Sequence, residues 1–135
     1  MNWLRSIGSV LAAPVVYGIA CVPGLNVLMS TFPQLVNEAG GTYDVGLTLA
    51  VEGMQFVVLI ICGYVSALIA GREELKHSLA VMLGMLAVGI AVQMSFWDSM
   101  LVWHHMVFFC LIVIGIFLGT KLRLRQKGTT QSRVL

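Results

Sequence analysis

Between Val45 and Ala70 the chain runs through an apolar stretch with no basic residue and a single acid, Glu52, before Gly71 and Arg72 break it. A helix needs about 20 predominantly apolar residues to cross the hydrocarbon of a bilayer, and this stretch supplies them. Inside it, Glu52 and Gln55 lie one helical turn apart. A charge at mid-membrane costs roughly 2.5–3.5 kcal/mol on insertion scales, so Glu52 has to face protein rather than lipid tails. The rest of the chain must provide what it faces.

Three further apolar runs accompany it, so that spans are expected at about residues 4–22, 45–70, 76–96 and 100–119. Only 10% of the residues are charged, where soluble domains carry about 25%. No stretch is left over for a soluble domain, and any activity must reside in the helices, one outer loop or the basic tail. The expected fold class is all-α, an integral membrane bundle of four transmembrane helices running antiparallel, up and down. It occupies residues 1–120 as one domain, with a basic cytoplasmic tail at 121–135.

Pro14 should kink the first span, and Pro23-Gly24 should stop or bend it, opening an outer loop at 24–44. Within that loop Pro33 to Ala39 reads as a short helix closed by Gly40-Gly41. Asp44 is placed to cap the second span. Trp97-Asp98-Ser99 turns the chain sharply between the third and fourth. Residues after Lys127 read as polar and without fixed structure. The three cysteines, Cys21, Cys62 and Cys110, are expected to be buried thiols. The run GlyIleAlaCys ending at Cys21 resembles a lipoprotein cleavage box, but Gly18 stands where a larger aliphatic residue is usual.

Charge placement sets the expected orientation. Arg5, Arg72, Lys76, Lys121, Arg123, Arg125, Lys127 and Arg133 all fall on one side of the four crossings, while Glu38, Asp44 and Asp98 fall on the other. Basic residues stay on the cytoplasmic side, which puts both termini in the cytoplasm of a cell whose inner membrane holds the protein. LysLeuArgLeuArgGlnLys at the membrane exit is then a topology anchor drawn to anionic lipid, and no nucleic-acid partner is expected.

Depth can be counted at 1.5 Å per residue, which puts Glu52 about 12 Å below Asp44, Gln93 about 7 Å below Asp98 and the two histidines about 9–10 Å below it. Glu52, Gln55, Gln93, His104 and His105 therefore share the outer third of the membrane and form one expected polar cluster. Two rows of small residues, Gly63, Ala67 and Gly71 in the second span and Ala80 and Gly84 in the third, are expected to let helices approach closely. Lipid should take the Phe56 and Ile60 side of the second span.

No glycine-rich phosphate loop, GxSxG setting or paired cysteine motif is present, so neither catalysis nor a cofactor is expected. The leading expectation is a protein that works by binding other membrane helices, as an accessory, assembly or regulatory subunit or a homo-oligomer. The alternative is a small proton- or cation-coupled transporter using Glu52. In length and in relying on a membrane glutamate this alternative is similar to four-span exporters of the small multidrug resistance type. Their glutamate, however, lies in the first span, and here that span has no acid. A further alternative gathers Met94, Met100, His104, His105 and Met106 as an outer-leaflet metal site.

Overall fold

The computed structural model describes residues 2–132 and contains four long helices, α1 (Asn2–Thr31), α2 (Val45–Ala70), α3 (Glu74–Ser95) and α4 (Val102–Ser132). All four are long and apolar enough to cross a membrane. They run antiparallel, as contacts at both ends show. At one end His77 Nε2 lies 2.9 Å from the Ser6 hydroxyl, and Lys127 reaches Glu74 at 3.0 Å. At the other, the Asn37 amide donates to the Ser99 carbonyl at 2.8 Å, and the Tyr43 hydroxyl donates to the carbonyl of Asp98.

α2 begins where its chemistry says it should. Asp44 Oδ1 accepts the Leu47 N–H at 2.7 Å, and the Thr48 hydroxyl donates to the Asp44 carbonyl at 2.7 Å. It ends at Gly71, whose φ of 66° is left-handed and whose N–H returns to the Ala67 carbonyl. That conformation disfavours any side chain with a Cβ.

α1 departs from the expected 4–22 span. It continues through Pro14 and Pro23 to Thr31, since helices in membrane bundles tolerate a proline, which removes only the one backbone bond to the carbonyl four residues earlier. Separately, the Cys62 thiol donates to the Ala13 carbonyl at 3.3 Å and ties α1 to α2. The loop shrinks to 32–44, and the helix expected over Pro33 to Ala39 is only a turn at Pro33–Leu35. Asn37 diverts it: its side-chain oxygen accepts from the N–H groups of Ala39 and Gly41.

The tail also differs, since α4 stays helical to Ser132 rather than losing structure beyond Lys127. Tyr64 donates to Gln126 at 2.6 Å, and Lys127 bonds the Gly71 carbonyl as well as Glu74, so the extension is tied to α2 and α3. Arg133 lies outside the described residues.

The centre of the bundle is the α2–α4 contact. Gly63 sits so close to α4 that a Cβ there would lie 2.2 Å from the Ile116 carbonyl oxygen. In return a Cβ at Gly119 would lie 2.0 Å from the Ile60 carbonyl oxygen, and one at Gly115 would lie 2.8 Å from Leu59. Ala67 is fully buried beside them. Because Gly119 covers the Ile60 backbone, the exposed side of α2 is Val57, Ile61 and Leu68 rather than Phe56 and Ile60.

The second small row is not used within this chain. Ala80 and Gly84 are exposed, and among the described residues nothing lies within 4 Å of a Cβ at Gly84. α3 packs instead through Ser78, Val81, Met85, Gly89 and Gln93. Cys110 likewise faces outward, while Cys21 and Cys62 are buried as expected.

Candidate functional site

Near the end of the bundle that carries the Trp97–Ser99 turn, a chain of polar side chains is drawn from three helices. Glu52 of α2 places Oε1 2.5 Å from His104 Nδ1 of α4, with both side chains buried. His104 Nε2 lies 3.4 Å from Gln93 Nε2 of α3. Gln93 Oε1 lies 2.6 Å from His105 Nδ1, and His105 Nε2 lies 3.2 Å from the Trp97 carbonyl oxygen. The His105 ring stacks on the Trp97 indole with centroids 4.4 Å apart and planes 10° from parallel.

The adjacent histidines do not diverge to opposite sides of the helix. α4 starts at Val102, so both rings sit in its first turn and reach different neighbours. His104 turns to α2 and His105 to the turn at Trp97–Ser99. The Glu52–His104 contact is at ion-pair distance but outside hydrogen-bond geometry, and neither carboxylate oxygen of Glu52 nor His104 Nδ1 has a hydrogen-bond partner among the described residues.

The Gln93 amide links the two rings, and turning it over is an equivalent assignment of its O and N that exchanges which ring it donates to. A buried carboxylate is favoured in low dielectric when a proton on a neighbouring group neutralises it. Each orientation of the amide leaves room for one such proton, on His105 in the first and between Glu52 and His104 in the second.

Gln55 stands apart from this chain. It is buried to 5% exposure, and its Oε1 has no hydrogen-bond partner among the described residues. It faces a cavity of about 530 Å³ that lies between α1 and α3 and is floored by Gln55, Gln93, His104 and Phe108. Val22 of α1 with Val88 and Val92 of α3 line this cavity and are also exposed on the flank of the bundle, so it opens sideways. Towards the other end of the bundle it is closed by a dry core of Leu59, Cys62, Met85, Phe108, Ile112 and Ile116. Only beyond that core do polar groups meet again, where the Ser78 and Thr120 hydroxyls lie 2.7 Å apart.

The methionines expected to join the histidines are dispersed. Met94 and Met106 are exposed, and the Met100 sulfur accepts the Thr42 N–H. Among the described residues no group of three His, Cys, Asp or Glu is placed to hold a metal ion.

Some participants were not singled out from sequence. The Trp97 carbonyl and ring act through a turn whose geometry no local pattern specifies. The cavity arises from light packing between α1 and α3. Gly115 and Gly119, by contrast, carry the small-xxx-small spacing in plain view.

Fold and site together define a small four-span membrane protein with a buried carboxylate–imidazole centre beside a lateral cavity. No family model matches the chain, and neither a curated protein nor a solved structure does.

Proposed function

We propose that the protein is a small proton-coupled transporter of the inner membrane, with both termini cytoplasmic and Glu52 at the centre of its exchange site. The single observation that carries this reading is the 2.5 Å contact of Glu52 with His104, whose ring also floors a cavity of about 530 Å³. A proton held between Glu52, His104 and His105 can be exchanged as a molecule enters beside it, because one network serves both. The apolar core of Leu59, Cys62, Met85, Phe108, Ile112 and Ile116 lies beneath the cavity, and passage across the membrane requires that core to part. Tyr17 and Cys21 of α1 face the same cavity and are the other titratable groups there.

The test uses vesicles reconstituted with purified protein and an imposed pH gradient. Wild type should dissipate the gradient faster than protein-free vesicles, and Glu52→Gln, with its fold checked by circular dichroism, should not. Equal rates for the two proteins would overturn the reading. Sidedness is tested by single cysteines: Glu38→Cys should react with an impermeant maleimide from the periplasmic face and Lys76→Cys only from the cytoplasmic face.

A second reading keeps the helix-binding role. The exposed row at Ala80 and Gly84 on α3 has no partner within the chain and suits close approach of another membrane helix, from a different subunit or a second copy. Gly84→Leu should then abolish co-purification of that partner in mild detergent without lowering the thermal stability of the chain itself.

A further inference from the structure

The geometry points to the lateral cavity between α1 and α3 as the binding site for an uncharged lipophilic molecule bearing a hydroxyl group, a phenol or lipid-like alcohol, that enters from the membrane. This deepens the transport reading by naming the substrate class of the same site, but binding is measured without flux, so the two can fail separately.

Size comes first. A volume of about 530 Å³ lies within the roughly 300–1,000 Å³ typical of small-molecule sites. The walls are mainly aliphatic and thioether, with Leu25 and Met29 on α1 facing Met85, Val88 and Val92 on α3. Such walls suit a hydrocarbon body. The opening lies on the flank of the bundle, where Val22, Val88 and Val92 are exposed. In a bilayer this flank faces acyl chains, so the natural visitor is already dissolved in lipid.

The polar end of the visitor is specified by what the floor lacks. Gln55 lines this floor, and its Oε1 is buried with no hydrogen-bond partner among the described residues. Turning that amide over is an equivalent assignment of its O and N, so it can present either a donor or an acceptor to the cavity. A hydroxyl both donates and accepts, so it meets either atom, and it can also pair with Gln93 or His104 on the same floor. No lysine, arginine, aspartate or glutamate is among the lining residues, and the Glu52 carboxylate is turned to His104. A charged headgroup therefore meets no lysine, arginine or carboxylate on the lining, which favours an uncharged ligand over a phospholipid or a lipophilic cation.

Two positions test the site without disturbing the core. Gly18 lines the cavity and has nothing within 4 Å of a Cβ, so Gly18→Leu fills the space while favouring the helix. Gln55→Leu removes the unpartnered amide at near-constant volume. Full-length protein in lipid nanodiscs is titrated with radiolabelled para-octylphenol and, separately, with octylbenzene, which differs by the hydroxyl alone. We expect saturable binding of one octylphenol per chain, about tenfold weaker binding of octylbenzene, loss of that preference in Gln55→Leu, and loss of both ligands in Gly18→Leu. Non-saturable uptake, or saturable binding unchanged in Gly18→Leu, would overturn the site. Equal affinity for the two probes, or a preference that survives Gln55→Leu, would overturn the assigned headgroup. Normal binding with no pH-driven flux would retain the site and remove only the transport reading.

Discussion

Glu52 and His104, 52 positions apart in a chain of 135, meet at 2.5 Å inside the bundle and join α2 to α4 through a pair with almost no exposure to solvent or lipid. Neither residue has another carboxylate or ammonium to turn to. Their coupling should therefore be large enough to measure. In a double-mutant cycle of Glu52→Gln and His104→Gln, unfolded from mixed micelles, we expect a coupling energy of about 1–2 kcal/mol. Additive effects would mean that the two side chains do not sense each other.

The glycines of α4 predict an asymmetry that composition alone would not. Gly119→Ala places a methyl group against the Ile60 carbonyl and should destabilise the fold by about 1–3 kcal/mol through overpacking. Gly84→Ala, on the open side of α3, meets nothing and should be neutral or stabilising by a few tenths of a kcal/mol up to about 1 kcal/mol. Thermal unfolding in detergent distinguishes them directly.

Much of this architecture was legible in the residues, and the reasons are physical. A bilayer forces each crossing into a helix of predictable length, so Val45 to Ala70 was bounded correctly by Asp44 and Gly71. Because rise per residue is fixed, Glu52, Gln93 and the two histidines could be assigned a common depth from counting alone. What counting cannot supply is rotation about the helix axis. Ala80 and Gly84 have the right spacing for packing, but the phase of α3 is set by Gln93 and Met85 turning inward, which sends the small row out. Prolines mislead for a related reason: their penalty is known from water-exposed helices, whereas a helix long and apolar enough to cross a membrane tolerates them, as α1 does at Pro14 and Pro23. The continued helix at the C-terminus depends on Tyr64 and Glu74, partners distant in sequence.

That extension leads to a prediction of its own. Lys127 bonds both Glu74 and the Gly71 carbonyl, so Lys127→Met should release the end of α4. Trypsin should then cut at Arg123 and Arg125 several-fold faster in the variant, with the four spans intact. Unchanged cleavage would show that Tyr64 and Gln126 suffice.

At the same end of the bundle, the Lys76 ammonium 2.7 Å from Glu73 holds that carboxyl below the usual carboxylate range. A depressed folded-state pKa means stability that is present above the unfolded value and lost as pH falls through the folded one. Both side chains are well exposed, so the effect on stability is small and the readable quantity is the titration itself. Lys76→Met should raise the Glu73 titration midpoint, followed by carbon NMR of a labelled side chain. No movement would show that the ion pair is not formed in the membrane-embedded protein.

The central claim is that Glu52, His104 and His105 share one proton beyond two neutral rings and a carboxylate. Nitrogen and carbon NMR of these three residues, selectively labelled in lipid bilayers at neutral pH, measures it most directly. The account predicts that the fractions of imidazolium at His104, imidazolium at His105 and protonated carboxyl at Glu52 sum to one, and that Gln93→Leu changes how they are divided. Two neutral imidazoles beside a fully ionised Glu52, or two imidazolium rings together, would contradict it.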